Sequence, residues 1–274
     1  MPSVALGDLV FDYADDGSRD APVVLLLHGF PQDHSSWDRL SASLIAAGFR
    51  TVRPDQRGYS PGARPTAVQA YRQSVVVADA FDLLDALGID RAHVVGHDWG
   101  GFVAWGMAAT RPERLLSLTV LSTPHPAALT RAMLRSSQGL NSWYVGVFQV
   151  RGLAERALAP GGRFWREMLR GVPREQEQRY ADNARGPGAL TPMLNWYRAL
   201  PLDMARPSIR WRPITVPTLY IWGNDDPALG AAAARGTSRH VAADFAFVEL
   251  IGTGHWLPEQ ASDRVLPYLL THIA

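Results

Sequence analysis

Asp98 is the residue whose setting most clearly offers chemistry, in the stretch A-H-V-V-G-H-D-W-G-G-F-V-A-W that runs from Ala92 to Trp105. Val94 and Val95 read as the end of a strand, and Gly96 to Gly100 as a tight turn. Phe102, Val103, Ala104, Met107 and Ala108 read as an apolar helix. This is the pattern G-x-Nu-x-G, which lifts its central residue to the top of a sheet on a sharp strand-to-helix turn. Glycines suit the two flanking positions because strand and helix pass close together. A serine at the centre would attack acyl carbon; on saturated carbon it would leave an ether that water does not cleave. A carboxylate instead displaces a leaving group from sp³ carbon and becomes an alkyl ester, whose carbonyl water can attack. Asp98 therefore points to hydrolysis of carbon–oxygen or carbon–halogen bonds. The competing reading is a plain turn with an aspartate capping the next helix.

Two further groups complete a constellation. In a parallel sheet, ligands gather at the carboxyl ends of the strands. Asp225 and Asp226 follow the apolar run 216–222, and His255 follows the run 245–251. Nucleophile, acid, histidine is the chain order expected around such an elbow. His255 would take a proton from the attacking water, with an acid orienting its imidazole. The G-x-x-D spacing from Gly223 favours Asp226 over Asp225 for that acid. The loop after the apolar run 22–27 reads His28-Gly29-Phe30-Pro31, and the backbone N–H groups of Phe30 and Trp99 are the candidate oxyanion-hole donors. His28 reads as a structural loop histidine, and Asp55 and Arg57 as a charged pair bracing a loop. The seven histidines other than His255 lack its strand-end placement and read as structural or exposed.

The elements that must hold these groups alternate along the chain. Residues 9–13, 22–27, 50–53, 94–95, 115–121, 216–223 and 245–251 read as strands, and residues 37–47, 75–87, 264–273 and the stretch from 102 to near 111 as helices. The continuous apolar run at 22–27 fits a strand buried on both faces of a parallel sheet. Between residues 127 and 210 the β-branched runs stop and helical pieces take over, at 129–135, 153–158, 163–169 and 193–200. The expected class is α/β, a mostly parallel doubly wound sheet. Its core would comprise residues 1–126 and 211–274, with a helical cap at 127–210.

A chain of 274 residues, 47% hydrophobic and 19% charged, fits one domain with an insertion. A net charge of +1 with scattered basic residues argues against nucleic acid or an anionic membrane as partner. No apolar run approaches the ~20 residues that span a bilayer. The N-terminal residues show no basic segment followed by an apolar core, so the cytoplasm is the expected compartment. Without cysteine there is neither a disulfide nor a thiolate metal site. No cofactor or metal is expected, and the chain reads as a monomer or homodimer.

Taken together, His28-Gly29-Phe30-Pro31, Gly96-His97-Asp98-Trp99-Gly100-Gly101 and Gly254-His255-Trp256 resemble the α/β-hydrolase superfamily, in its epoxide hydrolase and haloalkane dehalogenase branch. The resemblance spans essentially the whole chain. Ser142-Trp143-Tyr144-Val145-Gly146-Val147-Phe148-Gln149 is similar to the first cap motif of epoxide hydrolases, and Asn195-Trp196-Tyr197-Arg198 to the second. The resemblance implies that Tyr144 and Tyr197 hydrogen-bond an epoxide oxygen from opposite Asp98. The chemistry agrees: epoxide opening creates an alkoxide, which a phenol of pKa about 10 can stabilise and protonate. A departing halide prefers N–H donors. Related haloalkane dehalogenases carry asparagine where this chain has Phe30, and fluoroacetate dehalogenases carry arginines where it has Trp99 and Phe102. Trp143, Phe148, Phe164, Trp165, Met193 and Trp196 are candidate pocket walls and suggest an apolar epoxide as substrate. The expected activity is hydrolysis of that epoxide to a vicinal diol. Haloalkane dehalogenation is the alternative, and a non-catalytic ligand-binding member of the fold the more distant one.

Overall fold

A computed structural model describes residues 1–136 and 138–274, apart from the side chains of Leu140 and Asn141. Its strands are β1 (Ser3–Leu6), β2 (Leu9–Asp16), β3 (Val23–Leu27), β4 (Arg50–Pro54), β5 (Ala92–His97), β6 (Leu115–Leu121), β7 (Thr218–Gly223) and β8 (Phe245–Leu250). They form one sheet in the order β1-β2-β4-β3-β5-β6-β7-β8. β1 and β2 pair antiparallel, as do β2 and β4; the pairings from β4 across to β8 are parallel.

The apolar run at β3 is continuous because both faces of the sheet are covered. Leu25 and Leu27 enter the core on one face, with Val76, Val77 and Phe81 of α2 (Gln73–Ala86) and Val103 and Trp105 of α3 (Trp99–Thr110). Val24 and Leu26 enter the other, with Leu40 and Leu44 of α1 (Asp38–Ala46) and Val265, Leu269 and Ile273 of α13 (Ser262–Ile273). Burying each such aliphatic side chain is worth about 1.5–3 kcal/mol.

Between β6 and β7 the chain is helical: α4 (Pro126–Arg135), α5 (Gln138–Asn141), α6 (Trp143–Phe148), α7 (Leu153–Ala157), α8 (Arg163–Met168), α9 (Arg174–Arg185) and α10 (Leu190–Ala205). Phe148, Trp165, Tyr180 and Trp196 are buried at the centre of this segment, continuous with the core over α2 and α3. The segment is fastened to the sheet domain by polar contacts. The Trp196 indole N–H donates to Arg57 O at 2.8 Å, and Asp203 pairs with Arg72 at 3.0 Å. Helix α9, absent from the sequence-based reading, docks in the same manner. Gln176 donates to Ser35, Arg179 to Asp33 (3.3 Å) and His34 (3.0 Å), and Asn183 to Asp33. Only Tyr180, Ala181 and Ala184 of α9 are buried, so it has almost no apolar stripe to announce it. β1 also went unpredicted, being a short half-exposed edge strand. After β7 come α11 (Ala231–Gly236) and, beyond β8, α12 (Leu257–Gln260). No helix among the described residues is long and apolar enough to cross a membrane.

Candidate active site

Asp98 sits between β5 and α3 with φ 51° and ψ −119°, a left-handed conformation that costs an ordinary residue about 1–3 kcal/mol. The neighbouring glycines make the turn possible. A Cβ on Gly96 would lie 2.3 Å from Gly100 O, and one on Gly100 would lie 2.0 Å from Leu27 O. The side chain that emerges is met by the loop after β3. Phe30 N–H donates to Asp98 Oδ1 at 2.8 Å, and His255 Nε2 stands 3.5 Å from Asp98 Oδ2. Trp99 opens α3, so its N–H has no acceptor within the helix. Of the two expected hole donors, the Phe30 N–H is bonded to Asp98 Oδ1, and the Trp99 N–H is free of any acceptor within its helix.

His255 lies in the loop between β8 and α12. Its Nδ1 is 2.7 Å from Asp226 Oδ2, while Asp226 Oδ1 accepts from the N–H groups of Ala228 (2.8 Å) and Leu229 (2.9 Å). Asp225 is exposed. The loop after β7 therefore presents Asp226, not Asp225, to the imidazole. Burial opposes a charge on His255, but the Asp226 and Asp98 carboxylates outweigh it and raise its pKa to about 10. Burial likewise pushes the Asp98 carboxyl up, and the His255 hydrogen bond and charge, His97 and the Phe30 N–H more than reverse that, holding it below the usual range. The resting site is an imidazolium between two carboxylates.

Opposite stand the two aromatic motifs. The Tyr197 ring packs 4.9 Å from Trp99, 5.3 Å from Phe30 and 4.9 Å from Phe148. The Tyr144 ring lies 6.1 Å from Tyr197 and 5.5 Å from Phe148. Burial raises both phenol pKa values, and the Asp98 carboxylate raises them further. The motif residues around the tyrosines stitch α6 to α10. Gln149 Nε2 donates to Tyr197 O at 2.9 Å, and Arg198 Nε to Phe148 O at 3.0 Å. Arg198 also pairs with Glu155 at 2.9 Å.

Residues 22–262 match the family described as alpha/beta hydrolase fold. The chain is 35% identical to the AB hydrolase superfamily protein YfhM of Bacillus subtilis, with 92% of each chain covered. It is 31% identical to Epoxide hydrolase A of Mycobacterium tuberculosis, over 93% of this chain and 91% of that one. Among solved structures, one of the novel epoxide hydrolases from metagenomes of hot environments superposes with TM-score 0.88 at 32% identity, covering 100% and 98% of the two chains. The chain belongs to the α/β-hydrolase family, in its epoxide hydrolase group.

Several expectations about this hydrolase need correction. Trp143 is 60% exposed and packs edge-on against Phe164 at 6.3 Å, so it is not an enclosed pocket wall. Trp165 is wholly buried within the helical segment. Phe148 does join the tyrosine pair. Trp196 lies 5.5 Å from Trp99 and also anchors α10, and Met193 is buried on the same helix. Asp55 and Arg57 are not partners: Asp55 pairs with His34 at 2.8 Å, and Arg57 bonds Asp79 at 2.6 Å. His28 holds its loop as expected, with Nδ1 2.9 Å from Gly29 O and Nε2 accepting from Gln56 N.

The sequence reading missed a layer of polar residues behind the site. Ser122, at φ 66°, donates its hydroxyl to His255 O at 2.8 Å, and His97 Nε2 is 2.8 Å from the same oxygen. Gln32 contacts Gly29 N, His97 and Glu259. The histidine of G-H-D-W-G and the polar residue directly after Phe30-Pro31 were the available signals.

Proposed function

We propose that this α/β hydrolase converts an apolar epoxide to a vicinal diol in two steps, using side chains of the chain and water alone. Residues 127–210 act as a cap that closes the site from the side opposite Asp98. In the first step Asp98 attacks an epoxide carbon. The ring C–O bond breaks, and its electrons form an alkoxide that Tyr144 and Tyr197 stabilise and protonate. The high phenol pKa values keep both groups protonated as donors until charge develops. In the second step His255, oriented by Asp226, takes a proton from water as that water adds to the ester carbonyl. The Phe30 and Trp99 N–H groups hold the oxyanion, and collapse of the adduct releases the diol and restores Asp98.

Esterification helps the base. While Asp98 is ionised it holds a proton on His255. Once Asp98 becomes an ester that charge is gone, and His255 gives up its proton more readily, to the phenolate left by the first step, which restores the tyrosine and frees the base. What supports the reading is an elbow aspartate whose charge both buried phenols feel, with the Tyr197 ring packed on Phe30 and Trp99. A halide site would need two N–H donors there; the buried Trp99 indole offers one, but the side chain at position 30 is an apolar phenylalanine that offers none.

The test is turnover of racemic styrene oxide and other aryl epoxides, beside haloalkanes of similar size, with mass spectrometry of His255→Gln. Diol formation, and a mass gain in the variant equal to the epoxide, are expected. Halide release without diol formation would move the enzyme to dehalogenation and return the tyrosines to packing. Binding without turnover or adduct would make it a ligand-binding member of the fold.

A further inference from the structure

The hydrogen-bond partners of the buried histidines differ in a way that fixes their charge. His28 has one carbonyl at Nδ1 and one backbone N–H at Nε2, a set that a neutral imidazole satisfies completely. His97 has oxygen on both sides: Gln32 Oε1 is 2.9 Å from Nδ1, and His255 O is 2.8 Å from Nε2. The Gln32 amide cannot be turned to relieve this. Gly29 N–H donates to Gln32 Oε1 at 2.7 Å, and the amide's Nε2 donates to Glu259 Oε1 at 2.7 Å. A neutral His97 would leave a ring lone pair facing an oxygen at hydrogen-bond distance.

Glu259 is placed to supply the matching negative charge. Its Oε1 accepts from Gln32 and from Tyr180 Oη at 2.7 Å. Tyr180 is the donor there, because its other partner, Gln176 Nε2 at 3.0 Å, is itself a donor and leaves Glu259 as the acceptor for its O–H. A proton on Glu259 would have to sit on Oε2, which is buried with no partner among the described residues.

We propose that His97 is an imidazolium at neutral pH, with Glu259 as its counter-charge and Gln32 as the amide that joins them. Both are positioning residues. His97 holds the backbone carbonyl of His255, Gln32 holds the Gly29–Phe30 loop, and Tyr180 ties the assembly to α9. Burial acts against the charged pair, lowering the pKa of His97 and raising that of Glu259. The hydrogen-bond geometry opposes it at the histidine, where a neutral ring sets a lone pair against an oxygen; at Glu259 the unpartnered Oε2 is poor in either form.

The positive charge has a consequence for the base. Asp98, Asp226, Glu259 and His97 are the charged groups around His255, and the His97 ring lies 4.9 Å from it. Asp98 and Asp226 strengthen proton binding at His255. An imidazolium at 97 weakens it and so favours proton release after Asp98 is esterified. Only this consequence rests on the proposed reaction; the charge state does not.

The test is ¹⁵N NMR of the histidine rings at neutral pH, with His97 assigned by the signals lost in His97→Gln. Both ring nitrogens of His97 are expected to carry protons in the wild type. Glu259→Gln keeps the shape and an acceptor oxygen but removes the charge, and His97 should then lose one ring proton. The acidic limb of its kcat–pH profile should move to higher pH, since the cation lost at His97, whose ring lies 4.9 Å from His255, outweighs the anion removed at Glu259 and His255 then binds its proton more tightly. A wild-type His97 with a single ring proton overturns the proposal whether or not the variant folds. So does a Glu259→Gln protein in which His97 keeps both. If the enzyme turns over no epoxide, the NMR result still decides the charge state.

Discussion

The charge on His255 makes stability depend on pH in one direction only. Its pKa is about 10 in the folded protein against an ordinary 6.5. The gap corresponds to roughly 5 kcal/mol at about 1.4 kcal/mol per tenfold, an upper figure because Asp98 and Asp226 titrate with it. A group whose folded pKa is raised stabilises fully below its unfolded value. That contribution is lost as pH rises through the folded value. The wild type should therefore lose several kcal/mol between about pH 6.5 and pH 10 relative to His255→Gln. Urea unfolding of both proteins across this range, followed by circular dichroism, reads the difference directly. Parallel curves for the two proteins would refute the ion triad, because a neutral His255 carries no such linkage. A wild type that gains stability over the range would refute it equally.

Other expectations follow from the same contacts. Tyr144→Phe and Tyr197→Phe should each lower kcat/KM about a hundredfold in steady-state epoxide assays, as loss of an acid donor does, and the double variant should lose more than either. Arg198→Met should destabilise the helical segment, because it frees Phe148 O and leaves Glu155 without its cation. Burial opposes the Glu155 charge, but Arg198 and nearby donors hold its pKa at about 2 against 4.5. That stabilisation is present above 4.5 and lost as pH falls toward 2. Denaturant titrations at pH 7 and pH 3 should therefore show the variant's deficit shrinking in acid. Trp165→Ala should cost about 3–5 kcal/mol, read as a fall in Tm, since the wholly buried indole leaves a cavity among α7–α10.

What the sequence made legible was local. G-H-D-W-G holds its turn, its strain and its nucleophile position within five residues, and the order of Asp98, Asp226 and His255 follows from the order of the strand ends. The tyrosines could be named because each sits in a motif whose neighbours, Gln149 and Arg198, fasten the same two helices. The polar layer behind the site was not legible. Gln32 and Glu259 meet across 227 residues of sequence, and neither belongs to a periodic pattern. Trp143 misled for the opposite reason: an aromatic in an aromatic-rich stretch reads as a wall, but its position on α6 leaves it 60% exposed. Helix α9 went unseen because it is held by Gln176, Arg179 and Asn183 rather than by an apolar face.

The central claim is that Asp98, not water, makes the first bond to the substrate. A single turnover with enzyme in excess over styrene oxide in ¹⁸O-water tests it most directly. The first diol should be free of label and the peptide carrying Asp98 should hold one labelled oxygen, with label reaching the diol on later turnovers. Label in the diol on the first turnover, and none in Asp98, would mean direct attack by water and would contradict the covalent route.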